Sequence, residues 1–207
     1  MRVFPPQKTN NVSNITTFKR GQAIPLIEGY TIALIQRSDL NDIIDMLGEP
    51  NVTQYLYFAP APEDVYRGYF GPIIEGTVEA IGHGEWPESP TSVIRDSEGR
   101  FMGMVGLHAV MFLQGNYELG FQFTEKAWGN GLASSASAFL LTIAFDVFGA
   151  HKVAADCYHS NVGSYKTLLK VGLVEEGRQA AYYKTQTGFD DRLHYGITKA
   201  QYNDLPR

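Results

Sequence analysis

The sequence predicts an α/β fold built on a mixed, mostly antiparallel sheet, and three features carry that expectation. Residues 92–123 read as a β-meander punctuated by turn residues. An alternating strand then runs straight into a two-glycine loop and a long apolar helix. The chain closes as strand, helix and hairpin, without the regular alternation of a doubly wound sheet.

The elements follow in order. Residues 1–25 are predicted to be a polar N-terminal arm, with Lys8-Thr9-Asn10-Asn11 and no periodicity. This arm reads equally as a loose extension or as an ordered element covering the domain. Residues 26–203 are expected to form a single domain. Tyr30-Thr31-Ile32-Ala33-Leu34-Ile35 is rich in β-formers and reads as the first strand. Ser38 can cap a helix whose apolar face is Leu40, Ile43, Ile44 and Leu47, and Gly48 ends it. Residues 63–81 are helical in pattern, but Gly68, Gly71 and Pro72 predict a break or kink. Residues 82–90 are a loop. Strands 92–95 and 100–107 are joined by Asp96-Ser97-Glu98-Gly99, a hairpin turn. After the turn Gln114-Gly115-Asn116, residues 117–123 alternate, with Tyr117, Leu119, Phe121 and Phe123 on one face. A helix over residues 134–148 buries Ala136, Leu140, Ile143 and Val147. A strand at 152–158, a short helix at 162–171 stopped by Gly172, and strands near 174–183 and 192–197 complete the chain.

Composition excludes several classes. A chain of 207 residues can bury a core without staples. No run of about 18 apolar residues is present, so no membrane span is expected. The opening Met1-Arg2-Val3-Phe4-Pro5-Pro6 lacks a signal peptide's apolar stretch. Cys157 is the single cysteine, and no Cys/His group has zinc spacing, so neither a disulfide nor a metal is expected. A reducing, cytoplasmic setting follows. The net charge of −5 disfavours nucleic acid as a partner and is compatible with a cationic amine.

The chemistry concentrates at Lys126-Ala127-Trp128-Gly129-Asn130-Gly131-Leu132-Ala133. A helix N-terminus offers free N–H groups and partial positive charge, and preceding glycines let the backbone approach an anion closely. The result is a phosphate-sized nest, although the same glycines would also serve a plain turn. No third glycine completes a dinucleotide fingerprint, and no Gly-Lys-Ser/Thr makes a P-loop. Further along stand Asn161-Val162-Gly163-Ser164 and Lys170-Val171-Gly172-Leu173.

Taken together, these segments resemble the GNAT acetyltransferase superfamily. That family carries Gln/Arg-x-x-Gly-x-Gly/Ala, then an Asn-x-x-Ser/Ala helix start and a Lys-x-Gly-Phe ending. The resemblance is nearest to the branch that acetylates ribosomal-protein N-termini (RimJ/RimL-like). Glu118-Leu119-Gly120-Phe121 and Trp128-Gly129-Asn130-Gly131 carry it, with Gly188, Asp191 and Tyr195 near the end. It covers roughly residues 29–200. Departures are Lys126 for Gln/Arg, Leu173 for the aromatic, Gln36 where the first strand ends, and Leu168 where many members place a tyrosine acid.

The resemblance implies a sheet splayed around an acetyl-CoA site and direct acetyl transfer to a primary amine, either a protein N-terminus or a small molecule. The pyrophosphate would lie on Lys126, Trp128, Gly129, Asn130, Gly131, Leu132 and Ala133. The pantetheine arm would pair with the backbone of Phe121, Gln122 and Phe123 like an added strand and bond Asn161. Glu118 is the expected general base, unless it is an ordinary solvent-facing carboxylate. Ser164 would donate to the departing sulfur or cap its helix. Tyr165 is a fallback acid that also fits the core. Cys157 reads as a buried strand residue, and direct transfer needs no covalent intermediate. His83, His108, His151, His159 and His194 read as surface or structural, with His108 on the meander the least secure of these. Tyr55, Tyr57, Phe58, Trp86, Tyr182 and Tyr183 could line an acceptor cleft, cover core or join a homodimer. The alternative to an enzyme is a catalytically silent acyl-CoA-binding module, which Leu168 keeps open.

Overall fold

The computed structural model describes residues 12–206; the first half of the expected arm, residues 1–11, and Arg207 lie outside the described residues. Eight strands form one sheet: β1 (Ile24–Ile27), β2 (Tyr30–Leu34), β3 (Thr91–Asp96), β4 (Phe101–Ala109), β5 (Asn116–Phe123), β6 (Lys152–Tyr158), β7 (Val174–Thr185) and β8 (Gly188–Thr198). Their spatial order is β1-β2-β3-β4-β5-β6-β8-β7. Every neighbouring pair is antiparallel except β5 with β6. The fold class is therefore the one the sequence predicts. Among the described residues, no helix is long and apolar enough to cross a membrane.

Helices cover both faces. One face carries α1 (Val12–Lys19), α5 (Leu132–Thr142) and α6 (Val162–Lys170). The other carries α2 (Leu40–Met46), α3 (Pro50–Thr53) and α4 (Glu63–His83). A short α7 (Lys199–Asn203) ends the chain.

Helix α1 and strand β1 stand where part of the loose arm was expected. Phe18 is fully buried, edge-on to Phe139 of α5 at 4.9 Å and beside Trp86 at 6.1 Å. One aromatic anchor is enough to dock a polar helix, and a single buried Phe carries no periodicity to read. Helix α1 also explains α5, which is buried on nearly every side rather than along one stripe. Helix α1 lies against β1 and β2 and touches α5 through the Phe18–Phe139 ring pair. Beyond Thr142 the helix widens into a π-turn, Ile143–Val147.

Two further expectations are corrected. Helix α4 runs unbroken through Gly68, Gly71 and Pro72. Its buried face is Tyr66, Phe70, Ile74 and Thr77, while Pro72 is exposed on the opposite side, where the lost hydrogen bond faces water. Packing outweighs local propensity here. Ser38 does not cap α2. It lies inside a 3-10 turn, and the Gln36 N–H donates to Asp39 Oδ2 at 2.7 Å instead.

The feature that creates a site is the β5–β6 junction. Only Asn116, Tyr117 and Glu118 pair with β6, opposite Lys152, Val153 and Ala154. Strand β5 continues to Phe123 paired with β4 alone. Its β6-facing backbone edge is thus open from Leu119 onward, and the sheet splits into a notch.

Candidate functional site

Two clefts open from this notch. The first, about 800 Å³, is the loop cleft. Its wall is made where β5 passes through a 3-10 turn, Glu125–Ala127, into the two glycines and α5. Gly129 and Gly131 adopt φ of 78° and 75°, which only glycine takes without strain. Nothing lies within 4 Å of a Cβ built on either, so the backbone there is bare. Gly131 is the N-cap of α5, and no side chain caps that helix. Ser135 donates to the Gly131 carbonyl at 3.0 Å, so the amides of Leu132, Ala133 and Ser134 precede the first helical bond and border the cleft. Trp128 is held by its indole N–H, which donates to the Phe123 carbonyl at 2.9 Å. The Asn130 amide closes the loop onto the Lys126 and Ala127 carbonyls, each at 3.4 Å.

Phe121, Gln122, Phe123, Trp128, Gly129, Asn130, Gly131, Leu132, Ala133, Asn161 and Ser164 all border this cleft. Lys126 does not. It is exposed on the turn before the loop, and Lys170 and Thr167 of α6 line the cleft instead. Asn161 caps α6, accepting from the Ser164 N–H at 3.1 Å, so its side-chain amide nitrogen is left to donate. Capping therefore belongs to Asn161 and not to Ser164. The Ser164 hydroxyl instead bonds Cys157. Burial pushes that thiol up to about 12, so Cys157 is a neutral thiol.

The second, about 520 Å³, is the tyrosine cleft on the α4 side of the sheet. Tyr55, Leu56, Phe121, Gln122, Asn161 and Ser164 border both clefts, so the two meet there. Glu118 lines the tyrosine cleft and is exposed, on the strand face opposite buried Leu119. Leu168 closes the base and is fully buried. Tyr165 borders neither cleft and packs against the core.

The aromatic wall comes from distant segments. Tyr158 and Tyr183 stack at 3.7 Å, and Tyr57 lies parallel to Tyr183 at 6.5 Å. A bulge between Gln179 and Tyr183 turns β7 so that Tyr183 faces the cleft. Ala181 takes a positive φ there, and its N–H donates to Asp191 Oδ1 at 2.6 Å. The Tyr183 hydroxyl donates to Asp156, which also pairs with Arg192. Burial and the Asp156 charge raise the Tyr183 pKa, so the phenol stays protonated at neutral pH. Tyr55 and Phe58 join this wall, but Trp86 does not. It packs on Phe18 and Phe148 on the other face of the sheet. Tyr182 is exposed, under the Arg192 guanidinium.

Two histidines read from sequence as surface or structural line the tyrosine cleft. His194 is bonded to Gln179 Oε1 at 3.0 Å. His108 is the register partner of Glu118. Burial lowers its pKa below 6.5, opposed by the Glu118 charge. The signal available in the sequence was its position on the meander strand beside the alternating strand.

Comparison with known proteins agrees with this architecture. Residues 31–174 match the family described as acetyltransferase (GNAT) domain. An uncharacterized N-acetyltransferase of Bacillus subtilis (strain 168), YoaA, is 29% identical over 106 residues, 51% of this chain and 59% of that protein. A second from the same strain, YnaD, is 27% identical, and the match again spans little more than half of it, 54%. An uncharacterized N-acetyltransferase of Bacillus licheniformis, p20, is 21% identical over 84% of this chain and 96% of its own. Among solved structures, ribosomal-protein-S5-alanine acetyltransferase from Vibrio fischeri aligns with a TM-score of 0.72 at 19% identity, over 89% of this chain and all but 1% of its own (99%). Spermidine N-acetyltransferase from Vibrio cholerae, in complex with CoA and spermine, aligns at 0.71 and 18% identity, over 86% and 100%. The structural likeness shows a shared fold, and the family match spans β3 to β6 and the whole loop cleft: the chain belongs to the GNAT acetyltransferase family.

Proposed function

We propose that the chain is an acetyl-CoA-dependent N-acetyltransferase that transfers acetyl directly to a primary amine. The observation that carries this reading is the meeting of two clefts at the sheet notch, bordered in common by Tyr55, Leu56, Phe121, Gln122, Asn161 and Ser164. The loop cleft is the donor side. Free amides at the start of α5, with Gly129 and Gly131, suit a pyrophosphate. The open edge of β5 at Phe121–Phe123 suits the amides of a pantetheine arm. Lys126 and Lys170 supply positive charge nearby.

The tyrosine cleft is the acceptor side. An ammonium is attracted by Glu118 and by aromatic faces, so a cationic amine fits. It must lose a proton before its nitrogen can attack the thioester carbonyl, and Glu118, which lines this cleft, supports that deprotonation. The carbonyl oxygen gains charge, and sulfur departs as a thiolate. The Ser164 hydroxyl, which borders both clefts beside Cys157, would donate to that sulfur. A protein N-terminus and a polyamine both satisfy this chemistry. The named activities of the Vibrio proteins, one on a ribosomal protein and one on spermidine, span the same two acceptor types.

The test is thiol release from acetyl-CoA with a panel of polyamines, amino acids and short peptides. Amine-dependent release is the expected result. Thermal stabilisation by CoA with no release for any acceptor would indicate the silent acyl-CoA-binding module instead.

A further inference from the structure

The floor of the tyrosine cleft contains a bare strip of sheet. Gly106 on β4 and Gly120 on β5 are register partners, and both border the cleft. Met104 and Gln122 flank the strip at one end, His108 and Glu118 at the other. The His108 ring leans back along its own strand over Gly106. A Cβ on Gly106 would stand 2.8 Å from His108 Nε2 and 3.5 Å from Thr91 Oγ1. The imidazole therefore occupies room that only a glycine leaves.

His108 differs from a structural histidine. It makes no hydrogen bond with any described residue, whereas His194 across the cleft is engaged by Gln179. It is partly buried, and its ring borders the same cleft as Glu118. Burial keeps it neutral at pH 7, and the Glu118 charge favours its protonated form. The other charged groups around the cleft are committed elsewhere. Asp156 of β6 pairs with Arg192 of β8, and Tyr69 of α4 contributes only a phenol.

We infer that His108 takes the proton from the acceptor ammonium, and that Glu118, across the strand pair, stabilises the imidazolium that results. The inference rests on the acetyltransferase reading and moves the proton's first stop from Glu118 to the neighbouring ring. An imidazole suits this work better than a carboxylate, because its proton affinity lies closer to that of an amine. One ammonium proton passes to the free imidazole nitrogen. The amine lone pair forms the N–C bond to the thioester carbon, and the carbonyl π pair moves to oxygen. That pair returns as the C–S bond breaks and sulfur leaves with its electrons. The second nitrogen proton reaches the thiolate, giving amide and CoA thiol, and the imidazolium releases its proton to water.

The experiment measures kcat/KM for thiol release against pH, with the full chain and the best amine of the panel. Wild type, His108→Gln, His108→Gly, Gly106→Ala and the Gly106→Ala/His108→Gln double variant are compared, with CoA thermal stabilisation as a check on folding. Wild type is expected to lose activity as pH falls through a pKa below 6.5. His108→Gln is expected to lose about 100-fold and to lose that acid limb. Added imidazole should restore part of the rate to His108→Gly. Gly106→Ala should approach His108→Gln, and the double variant should be little worse than either. An unchanged acid limb or a loss of only a few-fold in His108→Gln would overturn the inference. So would a failure of imidazole to rescue, or independent losses in the double variant. Absence of amine-dependent release in wild type would instead remove the acetyltransferase reading itself.

Discussion

The proposed donor cleft centres on one glycine-bearing loop with bare backbone, and the proposed acceptor cleft on side chains drawn from remote segments. On the donor side, the β5 edge, the loop and the start of α5 lie within residues 121–134, and residues from α3, the turn after it and α6 close the cleft around them. On the acceptor side, Tyr57 precedes α4, His108 and Glu118 sit on the meander, and Asp156, Tyr183 and Arg192 come from three strands after it. A backbone site tolerates most side chains but few changes of glycine. A side-chain site can change its substrate while the fold stays the same. On the proposed reading, donor and acceptor recognition are separable away from the residues the clefts share, and substitutions there should divide between them.

After the His108 variants, the largest effect should come from Glu118→Gln. Turnover should fall by up to about 100-fold, with CoA stabilisation unchanged, because the carboxylate lines only the acceptor side. A loss of CoA stabilisation as well would break the separation. Next is Gly131→Val. A β-branched residue at φ of 75° carries strain of about 1–3 kcal/mol, and its Cβ enters the cleft. CoA affinity, read by calorimetry, should drop roughly 10- to 100-fold. Tyr183→Leu should raise KM for a cationic amine by about three- to tenfold with kcat nearly kept, since it removes one aromatic face. Lys126→Ala should have the smallest effect, no more than a few-fold on CoA affinity and fading at high salt, because that side chain is exposed. A larger loss for Lys126→Ala than for Lys170→Ala would show that the exposed residue, not the one lining the cleft, carries the phosphate charge.

The same contrast explains what was legible in the sequence. Gly129 and Gly131 were readable because positive φ demands glycine next to a helix start. Alternation placed Glu118 opposite Leu119, and the structure keeps it on that face. The notch was not readable, because it depends on where β5 and β6 stop pairing, and a ladder of three pairs leaves no composition signal. His108 was discounted for a related reason. Its partner is nearby on the next strand, but the glycine that makes room for its ring and the cleft it faces emerge only when four strands are assembled. The sequence leaves the arm open between a loose extension and an ordered covering element because Phe18 is the one fully buried anchor of α1, and it predicts a break or kink in α4 because Pro72 is harmless only on an exposed face. For the same reason Phe18→Ala should cost about 3–5 kcal/mol in denaturant unfolding, despite the polar sequence around it.

The central claim is that the two clefts meet at the β5–β6 notch, and a bisubstrate ligand tests it most directly. CoA joined through an acetyl bridge to the preferred amine would span both. The expected result is a Kd at least 100-fold below that of CoA, with Tyr183→Leu weakening the bisubstrate and not CoA itself. A bisubstrate that binds no more tightly than CoA, or that is indifferent to Tyr183, would contradict it.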